Sequence, residues 1–200
     1  MLSSKDAIPL NPRRSLIAGV SGAGKSTLAA RIAHELGVQY VELDALYHGP
    51  SWTKRETFEA EVESLVSTPG WVTEWQYHAV RDLLASRADT LVWLDLSFRI
   101  VLWRIVWRTV RRARQKSVLW NGNVEPGVWH ALTQPEGIIR WAISTRRKYR
   151  VLVPAAAVSY PDLQVVRLRT QRQIDDWVGG PLRDVSGSTG EGRGASAAGH

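Results

Sequence analysis

The nine residues from Gly19 to Thr27, GVSGAGKST, constrain this chain more than any other stretch. They fit the phosphate-binding pattern G-x-x-x-x-G-K-[ST], with Gly19, Gly24, Lys25 and Ser26 in the required places. Ser15-Leu16-Ile17-Ala18 precedes them as a short apolar run suited to a buried parallel strand, and Leu28, Ile32 and Leu36 follow at helical spacing up to Gly37. Strand, glycine loop and helix is the setting that gives the motif its meaning. Glycines let successive backbone N–H groups curl inward toward phosphate oxygens, and the helix adds its positive dipole end. Gly19, Ser21, Gly22, Ala23, Gly24, Lys25, Ser26 and Thr27 are therefore the expected ATP-binding residues. Lys25 reaches the β and γ phosphates and Ser26 offers its hydroxyl to Mg²⁺.

Around that loop, 200 residues of which 44% are hydrophobic suffice for one substantial core. Residues 1–14 and the Gly/Ser/Ala-rich 179–200 read as flexible tails, leaving 15–178 as the folded domain. The chain has no cysteine, which excludes disulfides and thiolate-held metal and accords with a reducing cytoplasm. No secretory signal is visible, and the apolar stretch 91–110 is interrupted by Asp95, Arg99, Arg104 and Arg108, so it reads as a strand and an amphipathic helix with no membrane partner. The net charge of +7 is concentrated: residues 97–150 hold twelve Lys/Arg against Glu125 and Glu136. Such a block attracts phosphate on a nucleotide, a substrate or a nucleic acid.

In chain order, Val38 to Asp44 reads as a second strand ending on a carboxylate, and Thr53-x-x-Glu56 as a capping box opening a helix that buries Phe58, Val62, Leu65 and Val66. Trp71 to Glu74 is a third strand, again closing on an acid. A helix near 79–88 leads to the strand 90–96, and Ser97 can cap the long helix after it. On that helix Arg104, Arg108, Arg111 and Arg112 share one face. Residues 117–134 carry turn signals, 135–145 a helical pattern, 163–168 the last strand, and Ile174, Trp177 and Val178 a final short helix. Alternating strands and helices imply a parallel sheet covered on both faces, an α/β sandwich of three layers.

The chain resembles the nucleoside monophosphate kinase-like P-loop proteins, within them the bacterial adenylate kinase-like or DNA topology modulation (FlaR-related) group. The resemblance rests on GVSGAGKST, LDALYHGPSW at 43–52, WVTEWQYHAVRDLL at 71–84, ADTLVWLDL at 88–96 and LWNGNVE at 119–125. It implies a five-stranded parallel sheet in the order 2-3-1-4-5, a substrate-binding segment near 45–68 and a helical lid near 111–145. It also implies that Glu74, at the end of the third strand, serves Mg²⁺ beside Ser26. Two positions depart from the group's pattern. Glu74-Trp75 stands where an Asp-Gly-Asn-Tyr run is usual, placing a longer acid and a bulky neighbour at the metal site, and His48 stands where an aromatic residue is common.

The catalytic candidates are thus Lys25, Asp44, Glu74, Arg104 and Arg108, with Asp44 orienting the acceptor or taking its proton and the arginines closing over phosphate. Tyr47 and Trp52, flanking a Gly-Pro turn beside Asp44, are candidates to grip a planar substrate. Arg140, Arg146 and Arg147 are weaker phosphate candidates, His48 a proton acceptor and Asp95 a third strand-end acid. Trp93, Trp103 and Trp107 read as core. The expected activity is transfer of the γ-phosphoryl group of ATP to a small acceptor. A nucleotide-dependent regulator that binds nucleic acid and a catalytically idle ATP-binding protein stand as alternatives.

Overall fold

The computed structural model describes residues 1–8, 12–115 and 148–186, apart from the side chains at 52, 106 and 108–115. Five strands form one parallel sheet: β1 (Arg14–Gly19), β2 (Gln39–Tyr40), β3 (Trp71–Glu74), β4 (Thr90–Leu94) and β5 (Gln164–Leu168). Their order is β2-β3-β1-β4-β5, as the resemblance implies. Around it lie α1 (Lys25–Leu36), α2 (Leu43–Tyr47), α3 (Phe58–Val66), α4 (His78–Arg87), α5 (Phe98–Gln115), α6 (148–159) and α7 (Gln171–Trp177). No helix among the described residues is long and apolar enough to cross a membrane.

The central strands are β-rich and apolar because helices cover them. Leu16, Ile17, Leu91 and Val92 have no exposed surface, and Trp71, Trp75 and Trp177 are fully enclosed. Each such side chain contributes roughly 1.5–3 kcal/mol relative to exposure. Parallel pairing sets Ile17 beside Glu74 on one side and Val92 on the other, so the carboxyl ends of β1 and β3 emerge together. That edge is where open α/β sheets receive ligands.

Several local expectations are corrected. Strand β2 is two residues long and the chain turns into α2 at Leu43, so Asp44 lies in the first turn of a helix and not at a strand end. Burial of Leu43, with Asp44 favourably near a helix N-terminus, drives the turn. The Thr53 capping box does not form: the Thr53 hydroxyl donates to the Pro50 carbonyl, and α3 begins at Phe58 with Thr57 as its N-cap. Trp103 and Trp107 are 65% and 58% exposed, against the expectation of core, and stack on each other at 6.1 Å. The reason is helical phase: Val101 and Ile105 take the buried face of α5, and residues two further on point away from it.

The first residues are also anchored where the sequence reads a flexible tail. Leu2 pairs with β5, donating its N–H to the Val165 carbonyl, and Ile8 is buried. Past 178, Leu182 is fully buried and Arg183 pairs with Glu35 of α1 at 2.9 Å. The remainder of the expected tail, 187–200, and nearly all of the expected lid, 116–145, lie outside the described residues.

At the amino-terminal edge of the sheet, Asp89 fastens the entries of β1 and β4. Its Oδ2 accepts the N–H groups of Arg13 and Arg14 at 2.9 and 2.8 Å, and its Oδ1 accepts from the Arg14 guanidinium. Removing the carboxylate strands two backbone donors, whereas removing the 41% exposed arginine loses a screened pair. Asp89→Ala is expected to lower unfolding stability in urea by about 2 kcal/mol and Arg14→Ala by less than about 1 kcal/mol. Equal losses would contradict this division.

Candidate functional site

The loop between β1 and α1 turns because glycines permit it. Gly22 and Gly24 have φ of +77° and +95°, in the left-handed region, and a Cβ on Gly22 would lie 2.6 Å from Ile105 Cγ1. Gly24 is the N-cap of α1 and supplies no side-chain acceptor. The uncapped amides and the dipole of a twelve-residue helix therefore face a cleft of about 400 Å³, an arrangement suited to an anion. Lys25 and Ser26 line the same cleft. Arg104, from α5, reaches the loop by donating to the Ala23 carbonyl at 2.9 Å and to Gln171 Oε1 at 2.7 Å.

Glu74 closes the cleft's floor. It is 2% exposed; its Oε1 accepts from the Tyr40 hydroxyl at 2.6 Å and the Ser26 hydroxyl at 3.2 Å, and its Oε2 from the Leu43 N–H at 3.2 Å. Burial pushes its carboxyl above the usual carboxylate range, although the Tyr40 and Leu43 hydrogen bonds oppose the shift. Burial, and then the hydrogen bond to Glu74, push the Tyr40 phenol upward, so Tyr40 stays a donor. A hydroxyl and a carboxylate in contact are hard oxygen donors, the set that suits Mg²⁺ retaining several waters. A cation there would offset the desolvation that raises Glu74. Among the described residues no group of three or more His, Cys, Asp or Glu is gathered to hold a metal ion.

Trp75 does not intrude on this floor, contrary to the sequence expectation. Its ring is buried under α4, with its Nε1 donating to the Arg81 carbonyl at 3.1 Å and the Arg81 guanidinium 5.5 Å from its centroid. The Tyr149 hydroxyl donates to the Trp75 carbonyl at 3.1 Å, tying β3 to α6. The bulky neighbour is thus absorbed by the core.

Asp44 enters the cleft from α2 and is held in orientation. Its Oδ1 accepts from Gln76 Nε2 at 2.7 Å and from the Tyr77 hydroxyl at 2.5 Å. Tyr77 adopts φ +55°, a conformation costing about 1–3 kcal/mol for a non-glycine residue. Stacking on Tyr47 at 4.1 Å, an edge contact with Phe58 at 5.3 Å and the bond to Asp44 oppose that cost. Neither Gln76 nor Tyr77, nor Tyr40, is singled out by the sequence reading. The available signal was position: Gln76 and Tyr77 lie two and three residues beyond the strand-end acid Glu74.

Other candidates fall elsewhere. Tyr47 packs between Tyr77, Phe58 and His48 and does not line the cleft. His48 Nε2 lies 3.4 Å from the Tyr77 hydroxyl, one residue removed from Asp44. Asp95 is paired with Arg167 at 2.5 Å and lies 3.9 Å from Arg150, with Arg167 stacked over Trp93, so it serves the sheet's other side. The side chains of Trp52 and Arg108, and all of Arg140, Arg146 and Arg147, lie outside the described residues.

Comparison with known proteins agrees with this architecture. The chain is similar to a gluconokinase from Sinorhizobium meliloti 1021, with 20% identity over 90% of this chain and 98% of that one and a TM-score of 0.50. That likeness concerns the fold. Shorter stretches match bifunctional pantoate ligase/cytidylate kinases: 50% identity over 36 residues (18% of this chain) for the protein from Synechococcus sp. (strain RCC307), and 38% over 89 residues (42% of this chain) for that from Gloeobacter violaceus. The chain spans 7% and 16% of the length of those two proteins. No protein-family model matches it.

The raised Glu74 carboxyl has a measurable consequence. A carboxyl held above its unfolded value stabilises the fold while protonated, and that contribution is lost as pH rises through the folded value. Glu74→Gln keeps the shape without the charge. In metal-free buffer with chelator, the Tm of Glu74→Gln minus that of wild type is expected to grow from pH 5 to pH 8. A difference that stays flat or shrinks over that range would show that Glu74 is not desolvated.

Proposed function

We propose that the protein binds ATP with Mg²⁺ and transfers the γ-phosphoryl group to a hydroxyl on a small molecule. The observation that carries this is the shared cleft: the amide-lined start of α1, the Ser26–Glu74 contact and the oriented carboxylate of Asp44 all open into it. Fold likeness to a gluconokinase and the partial matches to cytidylate kinases support the reading, as does the resemblance to the adenylate kinase-like group.

Each residue has a chemical task. The loop amides and Lys25 hold the β and γ phosphates, positioning the group to be transferred and opposing its charge. Arg104 stands at the loop's rim, where positive charge stabilises developing negative charge on the leaving phosphate. A hollow of about 230 Å³ between α1, Arg104 and α7 adjoins the loop and offers room for the nucleoside. Ser26 and Glu74 are the residues to hold Mg²⁺. When bound, the ion screens the phosphate charges and fixes their geometry. Asp44 accepts the acceptor's hydroxyl hydrogen and aims its oxygen at the phosphate.

The rival reading, a nucleic-acid regulator, is motivated by the basic block at 97–150 and by the resemblance to the DNA topology modulation group, and no observation among the described residues favours it.

In a coupled assay of ADP release with an acceptor panel, wild type is expected to show acceptor-dependent turnover. Lys25→Ala is expected to lower kcat by about 10²–10³-fold. Binding of an ATP analogue with no turnover of any acceptor would favour the idle protein. Salt-sensitive duplex binding without acceptor-dependent ADP release would favour the regulator.

A further inference from the structure

Arg104 stands on the wall that the cleft shares with the hollow beside α7, and it lines both. Holding a long arginine side chain in one geometry costs rotamer freedom, so the groups that fix it decide how well it meets a phosphate. Two acceptors do so. Nη1 donates to the Ala23 carbonyl of the glycine loop at 2.9 Å and Nη2 to Gln171 Oε1 at 2.7 Å. A guanidinium has five N–H donors, so these two bonds leave others for phosphate oxygens.

Gln171 is itself held in place. It is the first residue of α7, whose start is closed by two bonds: the Gln173 N–H donates to Thr170 Oγ1 at 3.1 Å, and the Arg169 N–H to Gln173 Oε1 at 2.7 Å. One turn on, Asp175 accepts from Gln171 Nε2 at 3.2 Å on each carboxylate oxygen, and from Arg31 Nη1 of α1 at 2.7 Å. An amide donates from one end and accepts at the other. With its nitrogen turned to Asp175, the Gln171 oxygen faces Arg104. Arg31, Asp175, Gln171 and Arg104 thus alternate donor and acceptor and end on the loop carbonyl. These contacts are exposed to solvent and add little to the stability of the fold. Their consequence is geometric.

We propose that Gln171 is a positioning residue for phosphoryl transfer: it holds the Arg104 guanidinium at the mouth of the glycine loop, with Asp175 setting the orientation of its amide. The inference rests on the kinase reading above, in which Arg104 offsets charge developing on the leaving phosphate. Gln171 also lines the hollow offered to the nucleoside, so direct contact with the nucleotide is the competing role. The two roles separate in a double-mutant cycle, because a residue that acts through Arg104 has nothing to act on once Arg104 is gone.

The ADP-release assay is run on wild type, Gln171→Ala, Arg104→Ala and the double variant. Gln171→Ala is expected to lower kcat roughly three- to tenfold, with KM for ATP within about twofold of wild type and Tm within about 3 °C. In the Arg104→Ala background the same substitution is expected to change kcat by less than about twofold. An equal loss in both backgrounds, or a raised KM for ATP with kcat unchanged, shows Gln171 acting independently of Arg104; it overturns the inference and leaves the kinase reading standing. Wild-type kcat in Gln171→Ala does the same. Binding of a non-hydrolysable ATP analogue by wild type, with no turnover of any acceptor, removes the kinase reading and this inference together.

Discussion

The carboxylate of Glu74 is the junction on which the carboxyl edge of the sheet depends. Through three hydrogen bonds it links the end of β3 to Tyr40 on β2, to Ser26 at the start of α1 and to the backbone of Leu43 where α2 begins. The Leu43 contact also explains the brevity of β2. Val41 still donates to the Val72 carbonyl in the manner of a strand, but two residues later the donor goes to Glu74, ladder pairing stops and the chain turns. One side chain thus places the glycine loop, the Ser26 hydroxyl and the helix bearing Asp44 relative to each other.

That arrangement carries an energetic tension. Burying Glu74 disfavours its charge, and the neighbouring Glu42 acts in the same direction. Stability alone would favour a neutral residue there. A cation bound beside Ser26, as proposed above, would relieve the tension, which is the behaviour expected of a site shaped by its ligand. Tyr77 shows a related tension: its positive φ is held by stacking and by the bond that aims Asp44.

Much of this was legible from residue order. The order of apolar strand, glycine loop and helix, and the strand bearing Glu74, follow from the sequence because those features rest on local chemistry and short-range period. Asp44 is assigned by the sequence to a strand end and lies instead on α2, since the termination of β2 depends on Glu74, 31 residues after Leu43. Trp103 and Trp107 were misplaced for a different reason: the buried face of α5 is decided by Ile105 closing on Gly22, a tertiary contact that hydrophobicity alone does not reveal. Gln76, Tyr77 and Tyr40 acquire meaning only through the carboxylates they meet across the fold.

The central claim is that Ser26 and Glu74 form a magnesium site serving a nucleotide held by the loop. Titration calorimetry of ATP into wild type and Glu74→Gln, each with and without Mg²⁺, tests it most directly. The account predicts that magnesium tightens ATP binding to wild type and that Glu74→Gln weakens this gain by roughly tenfold to a hundredfold. ATP affinity indifferent to magnesium in wild type, or an equal magnesium gain in both proteins, would contradict it.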